Sequence, residues 1–574
     1  MTERIRQKLF SLYGDEQGAA AYRRLMATLD AARNTPQDRS GIDPAGRVSE
    51  RDVMLITYGD SIQDPGTPPL QVLHRFLQKR LAGVISAVHL LPFFPYSSDD
   101  GFSIIDYQAV NSAMGDWPNI QQLGGDFKLM FDAVINHISA QSDWFKRYCA
   151  GDAAYDNFFI DVAPDTDLSS VVRPRSLPLL TPFETASGTR HIWTTFSADQ
   201  VDLNFANPDV LLRIIDVLLF YVRQGMAFIR LDAIAYLWKI PGTSSIHLEQ
   251  THTVVKLFRD VLDYVAPQVA IITETNVPHA ENVSYFGAGD DEAQLVYQFS
   301  LPPLALHAIA QGDASVLSQW AASLTTPSDQ TTFFNFTASH DGIGVRPAEG
   351  LLSTAEIEAL VQRARAHGGD VSYKTNSDGT QSPYELNINY FDALSDPQGG
   401  EPLAVQAARF MVSQAIALAF MGMPGIYVHS LLGSRNWNAG VQQTGRLRTI
   451  NREKLQAAEL EAALDDAGSL RARVFEAYRH LITVRTAERA FHPNAPQEVL
   501  QLHPALFTLL RTTPDGDERI VAIHNVANHP VPLDVDALPL GKNAHDLISG
   551  RAVSGPLELA PYQVAWLKTT GNQL

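Results

Sequence analysis

The sequence has almost no cysteine. Cys149 is the only one in 574 residues, so no disulfide can form within a chain, and this favours a reducing compartment. The first segment, MTERIRQKLF, carries charges where a signal peptide would have its apolar stretch. The longest apolar run, about residues 415–428, is interrupted by Gly and Pro and is too short to span a bilayer. We therefore expect a cytoplasmic protein without a membrane partner.

Positive charge is also scarce. The chain has 44 Lys and Arg against 63 Asp and Glu, which gives a formal net charge of -19 at pH 7. Binding to nucleic acid or to an anionic membrane needs clustered Lys and Arg, and no such cluster occurs. We therefore expect no nucleic-acid partner. With 45% hydrophobic residues, the chain is long enough for one large domain and smaller additions.

Eight short apolar segments are predicted to be strands. They are MLITYG, ISAVHLLPF, KLMFDAVINH, MAFIRLDAI, VAIITETN, QLVYQFSLP, TTFFNFTASH and MPGIYV. Amphipathic helical segments fill several of the intervals, for example residues 211–224 and 251–265. Strands that alternate with helices are typical of parallel sheets, and eight such units predict an α/β fold, the (β/α)8 or TIM barrel.

The rest of the chain is predicted to surround this barrel, which we assign to residues 51–487. Residues 1–50 form an N-terminal helical extension, with Ile5, Leu9 and Leu12 on one face. Residues 138–209, the first lid, and residues 342–403, the second lid, begin where barrel strands end and should cover the catalytic face. The alternative, that they decorate the surface elsewhere, stays open. Residues 488–574 have the short alternating segments of a small antiparallel β domain.

Polar residues follow four of the predicted strands. The carboxyl ends of barrel strands meet at one face, so these side chains should share one pocket. Two of them, Asp232 and Glu274, follow consecutive strands, where paired-carboxylate chemistry such as glycoside cleavage becomes possible. The full set is Asp132, Asn136 and His137 after the third strand, Arg230 and Asp232 after the fourth, Glu274 after the fifth, and His340 and Asp341 after the seventh.

Four of these segments, DAVINH, FIRLDAIAY, IITETN and FTASHD, resemble the signature segments of the α-amylase superfamily of retaining glycoside hydrolases and transglycosylases. The resemblance implies that Asp232 is the nucleophile, Glu274 the general acid/base and Asp341 the carboxylate that stabilises the transition state. Arg230, two residues before Asp232 and on the same strand face, should keep the nucleophile ionised. Glu274 has no arginine in its own segment, so we expect a raised pKa there.

Further segments resemble the sucrose phosphorylase group of that superfamily. They are LITYGDSIQDPG, HLLPFFPYSSDDGFSIIDY, RPRSLP, RLDAIAYLWKIPGTSSIH, QFSLPPLALHA and SHDGIGVRP. In that group an aspartate and an arginine, here Asp99 and Arg448, grip the far hydroxyls of one glucosyl ring. A pocket closed at this end implies action on a small α-glucoside. The glucosyl contacts that the resemblance implies are Asp99, Phe102, His137, Phe196, Arg230, His340 and Arg448.

The same resemblance implies where phosphate and the acceptor bind. It assigns phosphate to Arg175 of the RPR segment and to Tyr384 of the second lid, although Arg175 could instead pair with a surface carboxylate. The set of phosphate and acceptor contacts is Arg173, Arg175, Tyr236, Asn276, Tyr384 and Glu385. Sucrose phosphorylases have Tyr-Gln in the second lid and a histidine two residues after the acid/base. This chain has Tyr384-Glu385 and Asn276, so fructose is in doubt as the acceptor.

The segments ETNVPHAEN and SPYELNINYFDAL look more like the branch that acts on glucosylglycerate or glucosylglycerol. A glycerate carboxylate needs a cation nearby, for which Arg173, Arg175 and Arg435 are the candidates. We expect a retaining phosphorylase of 2-O-α-glucosylglycerate that releases α-D-glucose 1-phosphate through a glucosyl-Asp232 intermediate. Phosphorylases of sucrose, sucrose 6'-phosphate or glucosylglycerol, an α-glucoside hydrolase or transglucosidase, and a non-catalytic amylase-like protein are the alternatives.

The resemblance also bears on ligands and assembly. Many amylases bind calcium through the asparagine that corresponds to Asn136, whereas the sucrose phosphorylase group works without that ion. We therefore expect no metal and no organic cofactor, and we expect Asn136 to hydrogen-bond the active-site loops. The partners are a small glucoside and inorganic phosphate, and the protein is expected to be a monomer or a homodimer.

Overall fold

Eight parallel strands close into a barrel, as the sequence predicts. The computed structural model describes residues 1–33, 46–174, 177–376, 379–540 and 544–569. The last strand pairs with the first and closes the ring, with Met54 opposite Gly425. In chain order the strands are β1 (Met54–Thr57), β2 (Ala87–Leu90), β3 (Lys128–Ala133), β4 (Met226–Leu231), β5 (Ala270–Thr273), β6 (Leu295–Tyr297), β7 (Thr332–Asn335) and β8 (Met423–Tyr427).

The barrel strands are short and apolar because both of their faces are covered. Leu55 and Ile229 are fully buried, as expected for parallel strands between packed side chains and an outer layer of helices. Gly425 of β8 has a steric role. A Cβ atom at this position would come within 2.4 Å of the Phe334 ring of β7, so a larger residue would displace a neighbouring strand.

Helices join the strands and form the outer layer. Asn207 caps the helix before β4, accepting a hydrogen bond from the Asp209 amide, and Pro208 occupies its first position, so the helix begins three residues before the predicted range. The numbered helices are α1 (Thr2–Arg33), α2 (Pro69–Leu81), α3 (Trp117–Asp126), α4 (Pro208–Arg223), α5 (Glu249–Val265), α6 (Leu301–Gln311), α7 (Leu403–Ala419) and α8 (Leu470–Thr486). Further helices are Asp143–Cys149, His279–Val283, Ser315–Ala322, Thr354–Ala366, Tyr390–Leu394, Val428–Leu431, Asn438–Thr444 and Ala457–Asp465.

Helix α1 packs across the outside of α4 and α5. Gly14, with φ 71°, breaks it into two arms, and each arm buries two leucine or isoleucine side chains. The first arm is also held by charge, because Lys8 Nζ lies 2.5 Å and Arg4 Nη2 2.9 Å from the buried carboxylate of Asp260 in α5. The extension therefore braces the helices that follow β3 and β4.

Both lids have secondary structure of their own and follow β3 and β7 at the carboxyl end of the barrel. The first lid contains a hairpin of Leu180–Thr185 and Gly188–Trp193, and a pairing of His137–Ser139 with Gln200–Asp202. The second lid contains a three-stranded sheet of Ile343–Gly344, Gln381–Asn387 and Asp370–Thr375. Each lid therefore begins beside the strand ends that carry the polar residues.

The C-terminal strands form an antiparallel sheet, as predicted, and this sheet packs against the barrel. Phe507 stacks on Phe420 with ring centres 5.4 Å apart, and the buried Arg511 donates to the Ala419 carbonyl. Its strands are β9 (Gln497–Val499), β10 (Leu506–Thr512), β11 (Arg519–Asn525), β12 (Ala544–Asp546), β13 (Arg551–Val553) and β14 (Val564–Thr569). Their order in the sheet is β9-β10-β11-β14-β12-β13. A separate pair joins Val531–Asp534 to Pro556–Leu559.

Across the described residues, no helix combines the length and the apolar character that a membrane span requires.

The packing of α1 leads to a stability prediction. Leu25 is 1% exposed, so Leu25→Ala should leave a cavity and cost about 2–5 kcal/mol, lowering the midpoint of thermal unfolding. Arg23→Ala, on the exposed side of the same arm, is the control and should leave the midpoint unchanged. Equal midpoints for the two variants would mean that α1 contributes nothing to the stability of the barrel.

Candidate active site

The two predicted catalytic acids lie side by side at the ends of β4 and β5. Thr273 pairs with Leu231 across these strands, so the residues that follow, Glu274 and Asp232, come at the same level. The Glu274 amide donates to the Leu231 carbonyl at 3.1 Å, and the Asp232 amide donates to the Ala133 carbonyl at 3.2 Å. Regular strand pairing therefore continues up to the acids and fixes the backbone that carries them.

Arg230 binds the carboxylates beneath the pocket. Its Nη1 lies 2.7 Å from Asp232 Oδ1 and 2.5 Å from Asp132 Oδ1, and its Nη2 lies 3.8 Å from Glu274 Oε2. The second oxygen of Asp132 lies 2.7 Å from His89 Nε2. All these side chains are nearly or fully buried. The guanidinium of Arg230 therefore holds together carboxylates whose negative charges would otherwise repel one another.

The positions of the acids relative to Arg230 separate their roles. Burial raises the pKa of Glu274 to about 7, and Arg230 offsets this only in part. Burial also raises the pKa of Asp232 above its ordinary value, against the opposing charge of Arg230. Because Arg230 hydrogen-bonds Asp232 but lies 3.8 Å from Glu274, the shared negative charge belongs on Asp232 and the proton on Glu274.

The turn after Asp232 orients Glu274. Ala233 has φ 48° and ψ 32°, a left-handed conformation that is unusual for a residue with a Cβ atom. In this conformation the Ala233 amide donates to Glu274 Oε2 at 2.9 Å. The strain at Ala233 therefore helps to hold the acid in place beside the nucleophile.

Asp341 is held as a carboxylate. Its Oδ1 lies 2.5 Å from Arg448 Nη1 and 3.5 Å from Arg452 Nη2. Burial favours the neutral form, but Arg448, His340 and Arg452 hold the pKa of Asp341 well below its usual range. Burial lowers the pKa of His340 to about 3, so its imidazole is neutral and offers both a donor and an acceptor to sugar hydroxyls. Its ring stacks on Phe102, with centres 4.9 Å apart.

The far end of the pocket is closed by the DDGF turn. Asp99, Asp100 and Gly101 are three consecutive residues with positive φ. A Cβ atom at Gly101 would come within 2.6 Å of the Pro92 carbonyl oxygen, so only glycine fits there. Arg452 Nη1 anchors the turn 2.6 Å from Asp100 and 3.9 Å from Asp99. This tight turn places Asp99 on the pocket wall.

One side wall comes from His137, at the start of the first lid, and from residues near the end of that lid. His137 Nε2 lies 2.9 Å from the Phe102 carbonyl oxygen, and Gln200 donates to the same oxygen at 3.1 Å. The Phe196 ring packs against His137 at 5.3 Å and edge-on against Tyr236 at 5.6 Å. Apolar rings with a few fixed polar groups are typical of a site that orients a sugar.

A lysine lies behind this wall, at Asn136. Lys239 Nζ donates to Asn136 Oδ1 at 2.6 Å and lies 2.7 Å from Asp202 Oδ2, with 1% of its side chain exposed. The chain thus supplies its own positive charge beside Asn136, which hydrogen-bonds the first lid as expected. Among the described residues no group of three or more His, Cys, Asp or Glu is arranged to hold a metal ion.

Most of the predicted site residues meet in one cavity. It is lined by Asp99, Phe102, His137, Phe196, Asp232, Tyr236, Glu274, Asn276, His340, Asp341, Tyr384 and Arg448. Arg230 lies directly under Asp232, to which it is bound. The glucosyl and acceptor positions that the sequence predicts are therefore parts of one continuous pocket.

Glu385 lies elsewhere than predicted. Its carboxylate binds Arg448 with both oxygens, at 2.9 Å from Nε and 2.6 Å from Nη2, and it accepts a hydrogen bond from the Gly342 amide at 2.6 Å. The side chain is 1% exposed and does not line the cavity. Glu385 thus supports the closed end of the pocket, next to Asp341, and is not available to phosphate or to an acceptor.

Two of the three predicted arginines of the acceptor side, Arg173 and Arg435, do not line the cavity. Arg173, in the first lid, donates to the Leu177 carbonyl and does not line the pocket. Arg435 lies away from it, where it binds Asp392 at 2.8 Å and also donates to Gln406. Arg175 lies outside the described residues.

Sequence reasoning missed several residues that shape the site. Gln200 contacts the Phe102 carbonyl, Arg452 contacts Asp100 and Asp341, and Arg346 lies beside Tyr236. Arg346 lies in the segment SHDGIGVRP, and Arg452 lies four residues after Arg448, so the available signal was a charged residue close behind a predicted site residue. Gln200 lies in an irregular lid and gave no such signal.

Known proteins resemble this chain along most of its length. The family model for the α-amylase catalytic domain matches residues 80–342. The glucosylglycerate phosphorylase of Allomeiothermus silvanus is 50% identical over 567 residues, 99% of each chain. That of Spirochaeta thermophila is 50% identical over 528 residues, 92% of this chain and 89% of the relative. The crystal structure of sucrose 6F-phosphate phosphorylase from Thermoanaerobacter thermosaccharolyticum matches with a TM-score of 0.72 at 24% identity, covering 83% of this chain and 94% of that one.

The position of Glu385 leads to a prediction about the closed end. Glu385→Gln keeps the shape but removes the charge that holds Arg448, so we expect kcat/KM for a glucosyl substrate to fall about 10- to 100-fold. The preference between acceptors should stay the same, because the lost contact is on the glucosyl side. Glu349→Gln, an exposed acid of the same lid, is the matched control. A changed acceptor preference would instead make Glu385 an acceptor contact.

Proposed function

Because the chain belongs to the sucrose phosphorylase group of the α-amylase family, we propose that it cleaves 2-O-α-glucosylglycerate with inorganic phosphate to give α-D-glucose 1-phosphate and glycerate. The observation that carries the substrate assignment is the 50% identity to a glucosylglycerate phosphorylase over 99% of both chains. The three carboxylates of one pocket, Asp232, Glu274 and Asp341, support the reaction type. The single Cys149 supports a cytoplasmic location.

The proposed reaction is a double displacement at the anomeric carbon. Asp232 attacks this carbon and forms a glucosyl ester, while Glu274 donates its proton to the leaving glycerate oxygen. Phosphate then takes the place of glycerate and gives a proton to Glu274 as its oxygen attacks the same carbon. The ester bond to Asp232 breaks, and the two inversions give α-D-glucose 1-phosphate with retained configuration.

The charges around the ring suit an oxocarbenium-like transition state. Asp232 and Asp341 are carboxylates on the sugar side, and each is fixed by an arginine. They stabilise the positive charge that develops on the ring without having to reorganise. At the closed end, Asp99 and Arg448 would contact the far hydroxyls of the glucosyl unit, which limits the site to one ring.

The proposal is tested by the choice of acceptor. The enzyme is given α-glucose 1-phosphate with D-glycerate, glycerol, fructose or fructose 6-phosphate, and phosphate release is measured. We expect glycerate to raise release far above the rate with water alone. If another acceptor exceeds glycerate, the substrate assignment is wrong, and if none exceeds water, the protein is a hydrolase. Asp232→Asn, which removes the nucleophile, is the control for background and should show no turnover.

The pKa of Glu274 predicts the pH dependence of the first step. In a double displacement, kcat/KM for the glucoside reports that step alone, in which Glu274 must be protonated. This kcat/KM should be at its full value below the pKa of Glu274 and should fall as the pH rises through about 7. It should also fall at low pH, where Asp232 becomes protonated. Glu274→Gln should be much slower and lose the alkaline fall, and persistence of that fall would assign it to another group.

A further inference from the structure

Arg346 lies near the start of the second lid, two residues after Gly344, which lines the cavity. It lies five residues after Asp341, at the start of the short 3-10 helix Arg346–Ala348, and only 12% of its side chain is exposed. The Ser300 hydroxyl donates to the carbonyl of the next residue, Pro347, and the Val345 amide donates to the Tyr384 carbonyl. The backbone on both sides of Arg346 is thus fixed.

Arg346 lies close to Tyr236, which lines the cavity together with Glu274 and Asn276. Burial raises the pKa of the Tyr236 phenol, and the charge of Arg346 opposes the rise. The charge of Glu274 acts on the same phenol and raises its pKa further. Arg346 does not itself line the cavity, so its side chain would reach a ligand past Tyr236.

The charge of Arg346 is only loosely compensated. Its carboxylate contact joins Nη2 to Glu281 Oε2 at 3.7 Å, which is beyond hydrogen-bond distance, and the Glu281 side chain is 43% exposed. Glu281 also faces His247 at 3.1 Å. A guanidinium has five N–H donors, so Arg346 keeps donors for a further anion.

Three other arginines around the pocket, within the part of the chain that the structure describes, already bind carboxylates. Arg230 binds Asp132 and Asp232. At the closed end, Arg448 binds Asp341 and Glu385, and Arg452 binds Asp100. In glucosylglycerate the carboxylate is attached to the carbon that carries the glycosidic oxygen. It must therefore lie near Glu274, where the charged carboxylates of Asp232 and Asp341 would repel it unless a cation were close.

Asn276 offers a second contact at the same place. Its Oδ1 is buried and has no hydrogen-bond partner among the described residues. A Cβ atom at Gly344 would come within 2.6 Å of this oxygen, so the glycine leaves room for the amide. A buried acceptor without a partner costs free energy, which a bound hydroxyl would recover.

We propose that Arg346, held by Tyr236 and Glu281, binds the carboxylate of the acceptor and makes the site selective for anionic glycerate over neutral polyols. The side-chain amide oxygen of Asn276 accepts a hydrogen bond from the free hydroxyl of the same glycerate molecule. The inference rests on the proposed function. Phosphate enters the same side of the pocket in the second half of the reaction, so Arg346 could instead bind phosphate. The test therefore distinguishes binding of the acceptor carboxylate from binding of phosphate.

The test compares two acceptors that differ in charge. For the wild type and Arg346→Met, kcat/KM is measured for D-glycerate and for glycerol with α-glucose 1-phosphate as donor. We expect the ratio of the two values to fall about 10- to 100-fold in Arg346→Met, because a charged hydrogen bond is lost only with glycerate. Arg346→Lys keeps the charge but lacks the planar guanidinium, so its ratio should lie between those of the wild type and Arg346→Met. This variant replaces Arg346→Met in the test if the methionine variant fails to fold.

A matched control and a phosphate arm complete the test. Arg365→Met removes an exposed arginine of the same lid and should keep the wild-type ratio. A wild-type ratio in both Arg346 variants would overturn the inference. An unchanged ratio together with a raised KM for phosphate would assign Arg346 to phosphate and overturn it equally. If the wild type does not use glycerate at all, the proposed function itself fails, which is a distinct result.

Discussion

The catalytic end of the barrel depends on Arg230. Three buried carboxylates, Asp132, Asp232 and Glu274, project from neighbouring strands towards the same volume, and without a cation they could not all be held there. An arginine suits this position because its charge persists at every relevant pH and its fork contacts several oxygens at once. Its unequal distances to Asp232 and Glu274 also decide which carboxyl keeps the proton. One buried interaction thus sets both the shape and the protonation of the site.

The barrel and its acids could be predicted from the sequence because both depend on local pattern. Strands covered on both faces appear as short apolar runs, and residues just beyond such runs must meet at one end of a closed barrel. The prediction failed where contacts join distant parts of the chain. Glu385 and Arg448 are 63 positions apart, and Arg452 and Asp100 are 352 apart. No periodicity connects such pairs, so the sequence could not indicate that Glu385 faces the sugar end.

The two ends of the pocket use different chemistry. The closed end is built from charged pairs, in which Arg448 and Arg452 are matched to Asp341, Glu385 and Asp100. On the proposed acceptor side the cavity is lined by the neutral groups Tyr236, Asn276 and Tyr384, and Arg346 is the proposed cation. Rigid charge pairs suit a unit that stays bound through both displacements. A single loosely paired cation suits a position where one anion must leave and another must enter within each turnover.

The strand Gln381–Asn387 of the second lid serves both ends at once. Tyr384 lines the acceptor side of the cavity, and its neighbour Glu385 holds Arg448 behind the opposite end. The pairing is irregular at this point, because Ser372 pairs with Glu385 and Tyr373 pairs with Pro383, which leaves Tyr384 as the extra residue of a β-bulge. A bulge re-aims the side chains around it, so it can bring one of two neighbouring residues to the cavity and keep the other out. A point substitution at Tyr384 can therefore change acceptor preference, whereas removal of the extra residue would shift the pairing and disrupt both subsites together.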